Sequence, residues 1–390
     1  MPITDRSEHH AWLLDLTQLP TAAGKERRVI DWIRRWVENR PSLELTTDDA
    51  GNLHIAPRGV RPEGSPVYFT AHLDHPAFTV ERVLGPGTVQ LGFRGGVMED
   101  YFRQARVTVH AGGGAPVGGV LGEKLDQPGH FPAYLCDLDR SAEVRVGDVA
   151  TWELPPAEIR DGLLYTHACD DLAALAAALG AYDALLREGA LGAPNFPKLL
   201  FTRAEEIGFV GAIAACRERT MPPGSRVIAL ENSRSFEDSP IGGGPIVRVG
   251  DRLSVFSPTL TGAVAKRAEE IAGGAPPTAS QKLSQSPAWK WQRKLMAGGA
   301  CEATVFCSYG YEATCLCLPL GNYHNMTDLT AVQAGKNTSP ARIGPEFIAV
   351  SDFDGLVDLL VACGERLESA PSVRQRIDKL WTDKAFVLSE

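Results

Sequence analysis

Apolar residues recur at helical spacing over the first 40 residues of the chain. Two apolar faces, separated by Pro20-Thr21, predict two amphipathic helices there. Further helices are predicted at 172–186, which is rich in alanine and leucine, at 210–219, at 260–271 and at 354–367. These helices alternate with short apolar runs, which is typical of α/β proteins.

The short apolar runs predict the strands of a sheet. The run at 67–71 lacks a regular apolar–polar alternation, as expected of a strand that is buried on both faces. Strands are also predicted at 198–202 and 226–230. Other strands are predicted at 43–46, 53–56, 254–256 and 314–318. We therefore expect these runs to form the sheet of an α/β fold.

The pattern changes between residues 79 and 159. Short alternating stretches broken by glycine, such as 88–91, 106–109 and 118–121, predict a small β-barrel or sandwich. Helical patterning resumes only after this region, so it is predicted to be an inserted domain. The expected division is a core domain at 1–78 and 160–390 and an inserted β-rich domain at 79–159.

Composition excludes some classes of partner. The 390 residues are 44% hydrophobic and 22% charged, which is ordinary for a globular protein, and the net charge is −9. That charge favours neither nucleic acid nor an anionic membrane as a partner. No apolar run is long enough to span a bilayer, and residues 1–10 do not resemble a secretory signal. The eight scattered cysteines are typical of reduced thiols, so a cytoplasmic location is expected.

Acidic and imidazole side chains follow several of the predicted strands. His72-Leu73-Asp74 follows the run at 67–71, Glu205-Glu206 follows 198–202, and Glu231 follows 226–230. The carboxyl ends of parallel strands can meet at one edge of a sheet, where open α/β folds bind ligands. Side chains at these positions are therefore candidates for one common site.

Two more candidates complete the series, although each segment alone has an ordinary interpretation. Asp170-Asp171 precedes a predicted helix and could be an N-cap. His324 lies in a polar loop, where a histidine is more often structural, and Glu205-Glu206 could be solvated acids. Taken together, two histidines and several carboxylates suit a pair of divalent metal ions that activates one water. Nitrogen and oxygen ligands favour zinc, cobalt or manganese.

The order of these segments and their surroundings resemble the co-catalytic dinuclear zinc aminopeptidases, most closely the tetrahedral glutamyl and deblocking aminopeptidase family. The likeness covers most of the chain. It rests on the following segments: Ala71-His72-Leu73-Asp74-His75-Pro76, Ala168-Cys169-Asp170-Asp171, Ala204-Glu205-Glu206-Ile207-Gly208, Gly242-Gly243-Gly244-Pro245 and Gly298-Gly299-Ala300-Cys301-Glu302-Ala303.

The resemblance implies a role for each candidate. His72, Asp170 and Glu231 would bind one metal ion, and Asp170, Glu206 and His324 the other. Glu205 would act as general base and then acid, and Asp74 would orient His72. The resemblance also implies an α/β core, with a mixed sheet and helices on both of its faces, that is interrupted by a β-rich domain used in assembly. It further implies a dimer or larger homo-oligomer.

Three positions depart from the family pattern. Glu231 stands where the family usually has Asp, Leu172 follows Asp171 where Arg or Asn-Arg is common, and Ala300-Cys301 replaces Thr-Asp. The leading hypothesis is a metal-dependent aminopeptidase that acts on short peptides. The alternatives are an amidohydrolase or deacylase that cleaves an N-acyl amino acid or another small amide, and a non-catalytic assembly protein.

Overall fold

The computed structural model describes residues 5–60, 65–112, 114–126, 129–191, 196–276, 289–367 and 373–389. Within these residues no helix is both long and apolar enough to cross a membrane. The helices are α1 (Ser7–Thr17), α2 (Arg27–Glu38), α3 (Leu172–Arg187), α4 (Val210–Glu218), α5 (Pro258–Ala272), α6 (Glu302–Ser308), α7 (Leu329–Gln333), α8 (Val350–Glu365) and α9 (Val373–Lys384).

The strands form a large mixed sheet, a closed barrel and a small three-stranded sheet. In chain order they are β1 (Leu43–Thr47), β2 (Leu53–Pro57), β3 (Val67–His72), β4 (Ala77–Gly85), β5 (Thr88–Arg94), β6 (Arg106–His110), β7 (Val117–Leu125), β8 (Ala133–Leu138), β9 (Val149–Trp152), β10 (Glu158–Arg160), β11 (Leu163–Thr166), β12 (Lys198–Thr202), β13 (Arg226–Arg234), β14 (Ile246–Gly250), β15 (Gln292–Leu295), β16 (Glu312–Leu320) and β17 (Glu346–Ala349).

The large sheet has the order β1-β2-β12-β3-β13-β16-β14-β15. Its four central strands, β12, β3, β13 and β16, run parallel to one another, whereas β2 and β14 pair antiparallel on either side of them. The carboxyl ends of the central strands therefore lie at the same edge of the sheet.

Helices cover both faces of this sheet. One face packs against the largest apolar cluster, to which α1, α3, α5 and α8 contribute. The alanine-rich α3 is buried along almost its entire length because it lies between the sheet and α8. The other face is covered by α4 and α6. The predicted mixed sheet with helices on both faces is confirmed.

The closed barrel has the strand order β4-β5-β8-β7-β6-β9. Its interior is filled by aliphatic and aromatic side chains. Among the latter, Phe78, Phe93, Phe102 and Trp152 meet edge-on or tilted, with ring centroids 4.8–6.0 Å apart. Such contacts add to the stabilisation from burial. The predicted small β-barrel is thus present, and the chain enters it five residues after the end of β3.

Two details of the predicted strands were wrong. The strand predicted at 226–230 continues to Arg234, so Glu231 lies inside β13 rather than at its end. It continues because β16 pairs with β13 over the whole of that length. The strand predicted at 254–256 does not form; only an isolated bridge joins Val255 to Gly250. Asp251 instead accepts hydrogen bonds from the backbone N–H groups of Leu253 and Ser254, which closes a turn.

Candidate metal centre

Four of the segments that carry the predicted side chains meet at the carboxyl edge of the large sheet. His72 is the last residue of β3, Glu205 and Glu206 follow its neighbour β12, and Glu231 lies in its other neighbour, β13. His324 lies in the 3-10 turn that follows β16. Asp170 and Asp171 directly precede α3 and are joined by a cis peptide bond.

His72 stands at the centre of one group of acidic side chains. Its Nε2 atom lies 3.4 Å from Asp170 Oδ1, 3.8 Å from Glu231 Oε1 and 3.9 Å from Glu205 Oε2. Its Nδ1 atom lies 3.1 Å from the backbone carbonyl oxygen of Asp74 and 3.6 Å from the Asp74 carboxylate. The closer partner of His72 Nδ1 is therefore the carbonyl oxygen of Asp74 rather than its carboxylate. This oxygen accepts a hydrogen bond if Nδ1 carries the proton.

A second group forms around His324. Its Nε2 atom lies 3.4 Å from Glu206 Oε2 and 3.5 Å from Asp170 Oδ2. Asp170 therefore turns one carboxylate oxygen to each histidine. The Nδ1 atom of His324 faces the backbone carbonyl of Gly96, which connects the barrel side of the molecule to the cluster.

The spacing of these atoms fits divalent ions better than direct hydrogen bonds. Two ligand atoms bound to a tetrahedral ion at about 2.1 Å lie about 3.4 Å apart, close to the nitrogen–oxygen distances around His72 and His324. Asp170 Oδ1 and Glu206 Oε1 are buried and have no hydrogen-bond partner. Buried polar atoms without a partner are unfavourable unless something else binds them. The residues present therefore fit a metal ion at each histidine.

The buried carboxyl group of Glu205 lies beside His72 in this cluster. Burial raises the pKa of Glu205 well above its usual range, and the nearby carboxylates of Glu231, Glu302 and Asp74 act in the same direction. The charge of His72 opposes this rise. Buried acids with raised pKa values occur at sites of general acid–base chemistry.

Asp74 and Glu26 hold the turn that presents Glu205 and Glu206. The carboxylate of Asp74, which is fully buried, accepts hydrogen bonds from the backbone N–H groups of both glutamates, at 2.9 and 3.1 Å. Glu26, at the start of α2, accepts from the N–H of Ala204 and from the Arg203 side chain. Ala204 has a φ of 53°, so these contacts stabilise a backbone conformation that alanine rarely adopts.

Glu346 links Asp170 to His324 by binding the backbone N–H groups of both residues. One of its carboxylate oxygens accepts from the N–H of Asp170 at 3.1 Å, and the other accepts from the N–H of His324 at 2.8 Å. Both residues are thereby fixed to the first residue of β17. The buried ring of His75 adds a second restraint, because its Nδ1 donates to the carbonyl of Asp170.

Asp171 does not act as a side-chain helix cap, which was the ordinary interpretation of the Asp170-Asp171 pair. It occupies the N-cap position of α3 but makes no capping hydrogen bond there. Its carboxylate instead accepts from the backbone N–H of His72 at 3.1 Å. One of its oxygens lies close enough to His72, Asp170 and Glu231 to belong to the same group of possible ligands.

Sequence reasoning missed several contributors to this site. Glu26 and Glu346 bind backbone N–H groups of distant segments, and no local pattern marks them. Glu302 lies in the glycine-rich segment 298–303, whose resemblance to the family could have marked it as a candidate. It is buried beside His72, Glu231 and Asp74, and burial raises its pKa to about 7. His75 lies in the segment 71–76 of the resemblance, but no role was predicted for it.

Comparisons with known proteins agree with this geometry. The model of the M42 glutamyl aminopeptidase family matches residues 137–272. Together with the cluster of histidine and carboxylate ligands, this match confirms the predicted class, a metal-dependent hydrolase of the aminopeptidase type. The predicted resemblance to this particular family is likewise confirmed. No curated protein matches the chain.

Solved structures match in fold over nearly the whole chain. A TET aminopeptidase from a marine sediment archaeon of the Thaumarchaeota is 18% identical, with a TM-score of 0.70; the match covers 93% of this chain and 98% of that one. The TET1 peptidase of Pyrococcus horikoshii is 20% identical, with a TM-score of 0.68 and coverages of 92% and 100%. An aminopeptidase from Desulfurococcus kamchatkensis is 19% identical, with a TM-score of 0.68 and coverages of 92% and 95%.

Proposed function

We propose that the chain is an aminopeptidase that hydrolyses short peptides at two divalent metal ions. His72, Asp170 and Glu231 would hold one ion, and Asp170, Glu206 and His324 the other. The observation that carries the proposal is the position of Asp170, with one oxygen 3.4 Å from His72 Nε2 and the other 3.5 Å from His324 Nε2. A carboxylate that turns one oxygen to each of two histidines can bridge a pair of divalent ions.

When bound, divalent ions would polarise the scissile carbonyl and lower the pKa of a water molecule. Glu205 would accept the proton of the attacking water and then donate it to the leaving amine. Its raised pKa suits both steps, because a carboxyl group that titrates nearer neutrality can both accept and release a proton. Asp74 would keep Glu205 and Glu206 in place through their backbone N–H groups.

The zinc-loaded protein tests this proposal directly. We expect it to release N-terminal residues from short peptides, and we expect Glu205→Gln to abolish turnover while both ions remain bound. Glu38→Gln is the matched control, since Glu38 is an exposed residue at the end of α2. Turnover by Glu205→Gln at the wild-type rate would remove Glu205 from the role proposed here.

A substrate panel separates this proposal from its alternatives. Cleavage that requires a free α-amine supports an aminopeptidase. Faster cleavage of N-acyl amino acids would instead support an amidohydrolase or deacylase. A protein that binds no metal and cleaves neither substrate would be a non-catalytic assembly protein, and the proposal would be wrong.

We further propose that the chain forms a homo-oligomer and that the unit at 79–159 takes part in its assembly. The P. horikoshii TET1 peptidase assembles into a tetrahedron or a large octahedral shell, and this chain shares that fold over 92% of its length. Light scattering combined with size-exclusion chromatography tests the proposal. A monomer at micromolar concentration would contradict it.

A further inference from the structure

Two basic side chains are buried in the described part of the chain, and they differ in how their charge is balanced. Among its lysines and arginines, only Arg248 and Arg267 are buried. Arg267, on α5, forms an ion pair with Glu270 on the same helix. Arg248, on β14, is 1% exposed and makes no direct ion pair with any carboxylate among the described residues.

The immediate surroundings of Arg248 do not balance its charge. Its Nη2 atom donates to the thiol of Cys317 at 3.3 Å, and its Nη1 atom is buried without a partner. The thiols of Cys301 and Cys315 are also close. Burial raises the pKa of Cys317 to about 12, so this thiol is uncharged at neutral pH. A buried cation with no counter-charge would be strongly unfavourable.

The carboxylate that acts on Arg248 electrostatically is that of Glu231, which lies on β13, beyond β16 in the sheet. Glu231 pairs laterally with Cys317, the same residue that accepts the hydrogen bond from Arg248. The charges of Glu231 and Arg248 attract each other across this strand. In the strand order, Glu231 on β13 lies between His72 on β3 and Arg248 on β14, with β16 separating Glu231 from Arg248.

We propose that Arg248 is a positioning residue that serves as a built-in counter-charge of the acidic centre. It offsets the repulsion among the carboxylates when no ion is bound, and it weakens the binding of a divalent ion on the Glu231 side. The reason is electrostatic, because a guanidinium and a divalent ion repel each other in a buried site. This inference rests on the metal centre proposed above.

Charge removal at Arg248 tests the inference through zinc affinity rather than activity. The variants are Arg248→Met, which removes the charge, Arg248→Lys, which keeps it, and Arg267→Met as the matched loss of a buried arginine elsewhere. Zinc dissociation constants are measured by competition with a chelator. We expect Arg248→Met to bind zinc about tenfold more tightly than wild type. The other two variants should stay within about threefold of wild type.

A second measurement covers the case in which metal-free Arg248→Met is too unstable for a reliable zinc titration. The midpoint of thermal unfolding is recorded with and without zinc for wild type and variant. The inference predicts a larger zinc-induced rise in the variant, because the ions replace the missing charge. An equal rise in both proteins, or equal or weaker zinc affinity of the folded variant, would overturn it. Wild-type protein that binds no zinc would overturn the proposed metal centre itself.

Discussion

Replacement of Asp74 by asparagine removes the charge that holds the turn carrying Glu205 and Glu206. The two oxygens of Asp74 accept from the N–H groups of Glu205 and Glu206, and the residue is fully buried. An asparagine of the same shape can accept only one of these bonds and turns its own N–H₂ group toward the other donor. Hydrogen bonds to a charged group are worth about 1.5–3 kcal/mol each.

The lost hydrogen-bond energy is partly offset, because an uncharged asparagine no longer repels the neighbouring carboxylates. We therefore expect Asp74→Asn to lower the free energy of unfolding by about 2 kcal/mol. Because the turn carries Glu205, kcat should also fall by about 10–100-fold. Denaturant unfolding of the zinc-free protein and peptide hydrolysis by the zinc-loaded protein measure the two effects. Asp15→Asn, at an exposed position on α1, is the control.

The reasoning would be refuted if Asp74→Asn unfolded within about 0.5 kcal/mol of wild type and kept its full kcat. A loss of stability with unchanged kcat would show that the turn keeps its shape without the charge. In that case the role given to Asp74 in positioning Glu205 would be wrong, although its structural role would remain.

Two further substitutions test the packing and the titration of the core. Gly211→Ala would place a Cβ atom 2.4 Å from the backbone of Arg203, just before the turn that carries Glu205 and Glu206. We therefore expect denaturant unfolding to show a free energy of unfolding that is lower by about 3 kcal/mol. Gly87→Ala, which meets no atom within 4 Å, should be nearly neutral. Burial and a nearby lysine lower the pKa of His54 from 6.5 to about 4, so the unfolded chain binds the proton more tightly. Wild type should therefore lose up to about 3 kcal/mol more than His54→Gln as the pH falls from 6.5 to 4; equal losses would contradict this.

The sequence predicted the fold and the convergence of the candidate residues for the same reason. Apolar runs without alternation marked the central strands, and parallel strands bring their carboxyl ends to one edge. His72 and Glu205-Glu206 could therefore be expected to meet before any coordinates were known. The prediction of the barrel rested equally on a local signal, the short alternating stretches between glycines.

The parts that were not predicted depend on contacts between distant segments. Glu346 accepts from the N–H groups of Asp170 and His324, which lie far from it in the chain, and nothing near Glu346 marks that role. The apolar run before Glu231 stops at Leu230, so the pattern ended the strand there. Pairing with β16 extends it through a buried polar segment. The counter-charge of Arg248 likewise depends on the order of the strands rather than on any motif.

The metal content of the purified protein tests the central claim most directly. After zinc loading and removal of free ions, wild type should retain about two ions per chain, as expected of a co-catalytic pair. His324→Ala should retain about one, because it removes a ligand from one side of Asp170 only. Wild-type protein that retains no ion, or a His324→Ala variant that retains the full wild-type content, would contradict the account.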